Sequence, residues 1–93
     1  MLQGKTSTGF EFEIDERRTM DMRLVDAMAA IFRDGTTPAE QCVELVNILD
    51  LLLGNDQKTK LYEHIAANND GFVPAQAVFE EIQEIRQAKP IKN

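Results

Sequence analysis

The sequence contains few of the residues that build cross-links, metal centres or nucleophilic sites. Tryptophan is absent, and cysteine, histidine and serine each occur once, as Cys42, His64 and Ser7. A single cysteine cannot form a disulfide within the chain. A zinc site needs three or four ligands at suitable spacing, which one histidine and one distant cysteine do not supply. We therefore expect no metal, no cofactor and no internal disulfide.

The same scarcity argues against an enzyme. Nucleophilic catalysis would need Cys42 or Ser7 beside His64, together with an acid that orients the base. Cys42 falls inside an apolar helical pattern, where we expect a small buried thiol. Acyl carrier proteins need a serine at a helix start, whereas Ser7 lies in a predicted hairpin turn. No glycine-rich phosphate loop is present, so we expect no catalytic site.

Long apolar runs and basic clusters are also missing. The most apolar stretch, residues 43–53, is too short to span a bilayer and is interrupted by Glu44, Asn47 and Asp50. The first residues lack the apolar centre of a signal peptide. Sixteen acidic residues against ten basic ones give a net charge of −6. Nucleic-acid affinity depends on clustered Lys and Arg, so we expect a soluble cytoplasmic protein with neither nucleic acid nor membrane as partner.

Residues 10–14 alternate apolar and acidic side chains, which is typical of a strand with one buried face. Residues 1–6 are expected to pair with this strand through a turn at 7–9, giving a hairpin over 1–15. A two-stranded hairpin is marginal in water by itself. Its apolar face is therefore expected to lie on helices.

Helical periodicity dominates the rest of the chain. Four helices are expected, over residues 20–33, 38–53, 56–67 and 74–88, followed by a flexible tail over 89–93. The start of the second helix has the strongest signals, because Thr37 can cap this helix, Pro38 suits its first turn and Glu40 completes a capping box. Asn55 is expected to cap the third helix. The sequence thus predicts one mainly α domain over 1–93, an N-terminal hairpin packed on about four short helices, with 38–53 as the central core helix.

The first helix carries more apolar surface than one neighbour can cover. Its side chains form two adjacent stripes at helical spacing, Met22/Val25/Ala29/Phe32 and Leu24/Met28/Ile31. Methionine adapts to varied apolar partners, and a chain of this size has little surface with which to cover both stripes. We therefore expect part of this helix to face a partner, with five candidate contact residues: Leu24, Met28, Ile31, Met22 and Phe32.

Several segments resemble tail assembly chaperones from long-tailed phages and prophages of Gram-positive bacteria. They include TGFEFEI at 8–14, LVDAMA at 24–29, LLGNDQKTKLYEHI at 52–65, DGFVP at 70–74 and EEIQEI at 80–85. These segments follow the family's order and cover most of the chain, although none is a catalytic fingerprint. Phe72 departs from the family pattern, in which we expect a basic residue at that position.

The resemblance implies a non-enzymatic protein that acts during tail morphogenesis and is absent from the mature virion. Its implied partners are the tape measure protein, which it would coat, and tail tube subunits, which it would help to recruit. The resemblance also implies self-association, and a minor frameshifted product that continues past Asn93. The alternative function is a small acidic regulator, of the antitoxin or anti-repressor type, that masks a basic partner protein. The position of the gene distinguishes the two.

The turn at Asp70 and Gly71 lies between two predicted helices and can be aligned with an EF-hand loop. In that alignment Ala66 takes the first ligand position and Ala77 the bidentate one. Both are methyl side chains, so the charge that holds calcium is missing. We predict no calcium-dependent change in fold, to be checked by calorimetric titration. Micromolar calcium binding at this turn would contradict the prediction.

Overall fold

The computed structural model describes residues 1–88 and confirms the mainly α fold with an N-terminal hairpin. The predicted tail over 89–93 lies outside the described residues. In chain order the elements are β1 (Leu2–Lys5), β2 (Glu11–Ile14), a 3-10 helix (Glu16–Met20), α1 (Met22–Ile31), α2 (Pro38–Leu52), α3 (Gly54–Ala67) and α4 (Ala75–Arg86).

The hairpin is antiparallel and places its apolar residues on one face. Leu2 pairs with Ile14 and Gly4 pairs with Phe12, and Phe10, Phe12 and Ile14 are all buried as the alternation predicts. A Cβ atom at Gly4 would lie 2.7 Å from the Phe12 ring. Glycine at this position therefore lets the ring pack directly over the β1 backbone.

Side chains of α3 and α4 satisfy the polar groups of the hairpin. The Gln57 amide accepts a hydrogen bond from the Glu13 backbone N–H at 2.9 Å and donates one to the Glu13 carbonyl at 2.7 Å. Gln57 therefore occupies the place of a neighbouring strand at this sheet edge. At the turn, the Ser7 N–H and hydroxyl each donate to the Glu84 carboxylate at 2.9 Å.

The first predicted helix, 20–33, starts two residues later than expected, because Asp21 caps it. Asp21 has an extended backbone, and its carboxylate accepts the Arg23 backbone N–H at 2.9 Å, so α1 begins at Met22. Met20, which was expected to lie in this helix, ends the 3-10 helix instead. The Arg23 guanidinium also donates to Asp21 and lowers the pKa of that carboxyl to about 2.

The boundaries of α2 follow the predicted signals, whereas the start of α3 does not. Thr37 caps α2 through a 3.2 Å hydrogen bond from the Glu40 backbone N–H, and Pro38 is the first helical residue. Gly54 ends α2 with a φ of 78°. The expected Asn55 cap is wrong, because α3 already begins at Gly54 without a side-chain cap. The two helices share one sharp corner and leave no linker for a capping residue.

α2 is the central element, as predicted. It contacts α1, α3, α4 and the 3-10 helix, and its Ile48, Leu49 and Leu52 side chains are fully buried. The hairpin and the other helices add their apolar residues to the same core. Burial of each such side chain contributes about 1.5–3 kcal/mol to folding.

We predict that Leu49→Ala lowers the free energy of unfolding by about 2–5 kcal/mol, because it removes a fully buried side chain and leaves a cavity. Val43→Ala is the matched control on the same helix, since Val43 is exposed and its truncation should change stability by less than about 0.5 kcal/mol. Urea unfolding followed by circular dichroism measures both. Equal effects would mean that α2 is not central.

Candidate partner-binding surface

The structure separates the two apolar stripes of α1. Leu24, Met28 and Ile31 are at most 7% exposed and pack in the core, together with Ala27. The assignment of Leu24 and Met28 as partner-contacting residues is therefore wrong, whereas Ile31 still lines the groove described below. The reason is that α1 lies against the central helix α2 and turns this stripe toward it. The rest of this short chain therefore covers one of the two α1 stripes, the one that contains Leu24, Met28 and Ile31.

The other stripe remains at the surface. Met22 is 66% exposed, Val25 43% and Phe32 65%, and Ala29 between them is exposed as well. These four residues, spaced three, four and three apart, form one face of the helix and are here named the α1 strip. The strip runs over ten residue steps, or about 15 Å. Met22 and Phe32 were among the predicted contact residues, and the structure leaves both accessible.

The α1 strip leads into an apolar groove of about 280 Å³ where α1, α2 and α4 meet. Phe32 packs edge-on against Phe79 of α4, with ring centroids 5.8 Å apart. The side-chain amide of Gln41 donates to the Ile31 carbonyl at 3.0 Å and joins α1 to the start of α2. The groove is lined by Ile31, Phe32, Pro38, Gln41, Cys42, Leu45, Ala75, Gln76 and Phe79.

Cys42 is exposed at the wall of this groove, so the expected buried thiol is a wrong prediction. Its neighbours Val43 and Val46 are 60% and 42% exposed. The apolar pattern of α2 is therefore broader than its buried face. Before α4, Phe72 is 73% exposed in the turn. Exposed apolar side chains thus occur on α1, on α2 and in the turn before α4, and a groove lined by apolar residues of several helices is typical of a binding site.

The other side of α1 is charged. A shallow surface between α1 and α2 is lined by Arg23, Asp26, Arg33, Glu44 and Asp50. Lys58 of α3 donates to Asp50 at 2.6 Å, which raises the pKa of the lysine. Exposed ion pairs of this kind contribute little stability. The charged residues of this surface confine the exposed apolar area of α1 to the α1 strip.

A second feature, a polar cluster, was missed by sequence reasoning. The Thr8 hydroxyl lies 3.0 Å from His64 Nε2 and donates to the carboxylate of Glu81, which is only 3% exposed. His64 itself is half-buried beside the Phe10 ring. The sequence around Glu81 carries no local signal of its burial, because the hairpin tip that covers it is distant in sequence.

The described residues contain no arrangement that points to metal chemistry. Among residues 1–88, no group of three His, Cys, Asp or Glu side chains is placed to hold a metal ion. No helix in that part of the chain is long and apolar enough to cross a bilayer.

No family model, curated protein or solved structure matches this chain.

We predict that Met28→Asp unfolds the domain, because it places an unpaired charge in the core. Met22→Asp is the matched control: it puts the same charge on an exposed position of the same helix and should change stability by less than about 1 kcal/mol. Thermal unfolding of both variants tests this. A Met28→Asp variant as stable as Met22→Asp would mean that α1 turns its other stripe inward.

Proposed function

We propose that this protein is a non-enzymatic tail assembly chaperone, which binds the tape measure protein of a phage or prophage and helps to recruit tail tube subunits. The observation that carries the proposal is the exposed α1 strip continuing into the groove beside Phe79. The resemblance of segments 8–14, 24–29, 52–65, 70–74 and 80–85 to that family supports it independently.

The dimensions of the strip suit one kind of client. An exposed apolar face about 15 Å long accommodates roughly three turns of an amphipathic helix. Met22 adapts to imperfect complementarity, while the groove beside Phe32 receives one larger side chain. A tape measure protein is long and helical, and therefore offers many apolar faces of this length. Covering these apolar faces keeps the tape measure protein from aggregating before the tail tube forms.

The charge of the chain suits the same role. A net charge of −6 keeps a complex with an aggregation-prone client in solution through mutual repulsion. The protein would then act in the cytoplasm of the host during assembly and leave before the virion is complete. Self-association through the same strip would compete with the client.

The experiment is co-expression of the full chain with the tape measure protein encoded in its gene neighbourhood. We expect the chaperone to keep the tape measure protein in the supernatant and to co-purify with it. Met22→Asp and Phe32→Asp should each reduce the co-purified client by about tenfold, because a charge replaces a large apolar side chain that contacts the client. Asn47→Asp is the control, since it adds the same charge at an exposed residue on the charged side.

Two results would overturn the proposal. A gene located beside a toxin or repressor gene, with no tail genes nearby, would favour the acidic-regulator function instead. Unchanged client capture by folded Met22→Asp and Phe32→Asp variants would show that the α1 strip is not the binding surface. Circular dichroism of each variant establishes that it is folded.

A further inference from the structure

A small polar cavity of about 90 Å³ lies on the other flank of α4, away from the groove. The hairpin turn, the end of α3 and the outer face of α4 surround it. Its lining residues are Ser7, Thr8, His64, Ile65, Asn68, Asn69, Ala77, Glu80, Glu81 and Glu84. Three of these are glutamates, and Glu80 and Glu84 are exposed at the rim whereas Glu81 is buried.

The buried Glu81 carboxylate is only half satisfied. Its Oε1 accepts the Thr8 hydroxyl proton, so Thr8 in turn accepts from His64 Nε2. Its Oε2 has no hydrogen-bond partner among residues 1–88. A buried carboxylate oxygen without a partner is costly. Such an atom in a native fold requires an explanation, and a donor group supplied by a partner is one.

That group must bring positive charge or donors. The ion pairs among residues 1–88 are Asp15–Arg17, Asp21–Arg23 and Asp50–Lys58, so none of them involves the three glutamates of the cavity. The Asn68 and Asn69 side-chain nitrogens already donate to the carbonyls of His64 and Ile65. Their amide oxygens therefore remain as further acceptors. A metal ion is disfavoured, because the carboxylates and His64 do not converge as a ligand set.

We propose that this cavity binds the ammonium group of a lysine side chain from a partner protein. An ammonium group is compact and directs its three donors to different sides, whereas a guanidinium holds its donors in one plane. The acceptors around the cavity belong to the hairpin turn, α3 and α4, and donors that point to different sides suit them better. Glu81 lines the cavity, but its Oε2 is shielded in the present geometry. A rotation about the terminal torsion of Glu81 that turns Oε2 toward the cavity also moves Oε1 away from Thr8, so the ammonium group must offset the loss of that hydrogen bond. The exposed rim glutamates attract the cation. This site is separate from the groove and does not depend on the proposed chaperone role.

The test is a titration of the full-length, isotope-labelled protein with Nα-acetyl-lysine methylamide, followed by NMR at the Thr8, His64 and Glu81 signals. We expect saturable shifts with lysine, shifts several-fold weaker with the arginine analogue, and none with the norleucine analogue, which lacks the charge. Glu81→Gln should weaken binding by about tenfold, because the buried charge is lost. Glu16→Gln changes the net charge equally at an exposed residue on the 3-10 helix and should leave binding unchanged.

Four results would overturn the proposal. One is equal binding of the lysine and norleucine analogues. Another is unchanged lysine binding in a Glu81→Gln variant whose thermal unfolding shows it to be folded. The third concerns the chain's own lysines: binding that appears only after Lys89→Gln and Lys92→Gln would mean that this chain, and not a partner, fills the cavity. An absence of binding in all variants would leave water or a proton at Glu81 and would equally overturn the lysine site.

Discussion

The burial of one helix, α2, determines what the other elements can do. Ile48, Leu49 and Leu52 have no exposed surface, and the other three helices and the 3-10 helix all contact α2. Each neighbouring helix contributes only one apolar face to the contact with α2. α1 supplies Leu24, Met28 and Ile31, which leaves most of its second stripe at the surface, although Phe32 packs against Phe79. The exposure of the α1 strip therefore follows from the central position of α2.

The hairpin depends on this bundle for its stability. Two strands cannot bury enough surface alone, so Phe10, Phe12 and Ile14 pack on the helical core. Polar contacts then fix its position: Gln57 pairs with the open edge, and Glu84 holds the turn. The hairpin turn covers part of α4 and thereby buries Glu81. The hairpin thus creates the acidic cavity by closing over a face of α4 that would otherwise be exposed to solvent.

Much of the fold could be predicted because its signals are local. Alternation identified the hairpin, and Thr37 with Pro38 identified the start of α2. The start of α1 was predicted two residues too early. Asp21 caps this helix, but an aspartate beside an apolar-periodic segment is equally typical of the polar face of a continuous helix. Asn55 was misassigned because the corner at Gly54 is sharper than a capped linker. These errors are errors of boundary and leave the order of elements unchanged.

The candidate sites were less predictable, because they depend on which faces meet. Periodicity finds two stripes on α1 but cannot tell which of them α2 covers. Cys42 has the spacing of a core residue, yet the groove leaves it at the surface. Glu81 has the spacing of a surface residue, yet the hairpin turn buries it. In each case the deciding contact comes from an element distant in sequence, and such contacts carry no local signal.

The two candidate surfaces lie on opposite flanks of α4, and this limits how a partner can use them. Phe79 lines the groove and Glu81 lines the acidic cavity. Residues two apart on a helix point about 200° from each other, so one short segment of a partner cannot occupy both. A single client would need to wrap around α4, whereas two partners could bind at the same time. If one client wraps, loss of the Glu81 charge weakens its capture along with its lysine contact. If two partners bind, the groove and the cavity respond to substitution independently, since residues without shared contacts contribute additively.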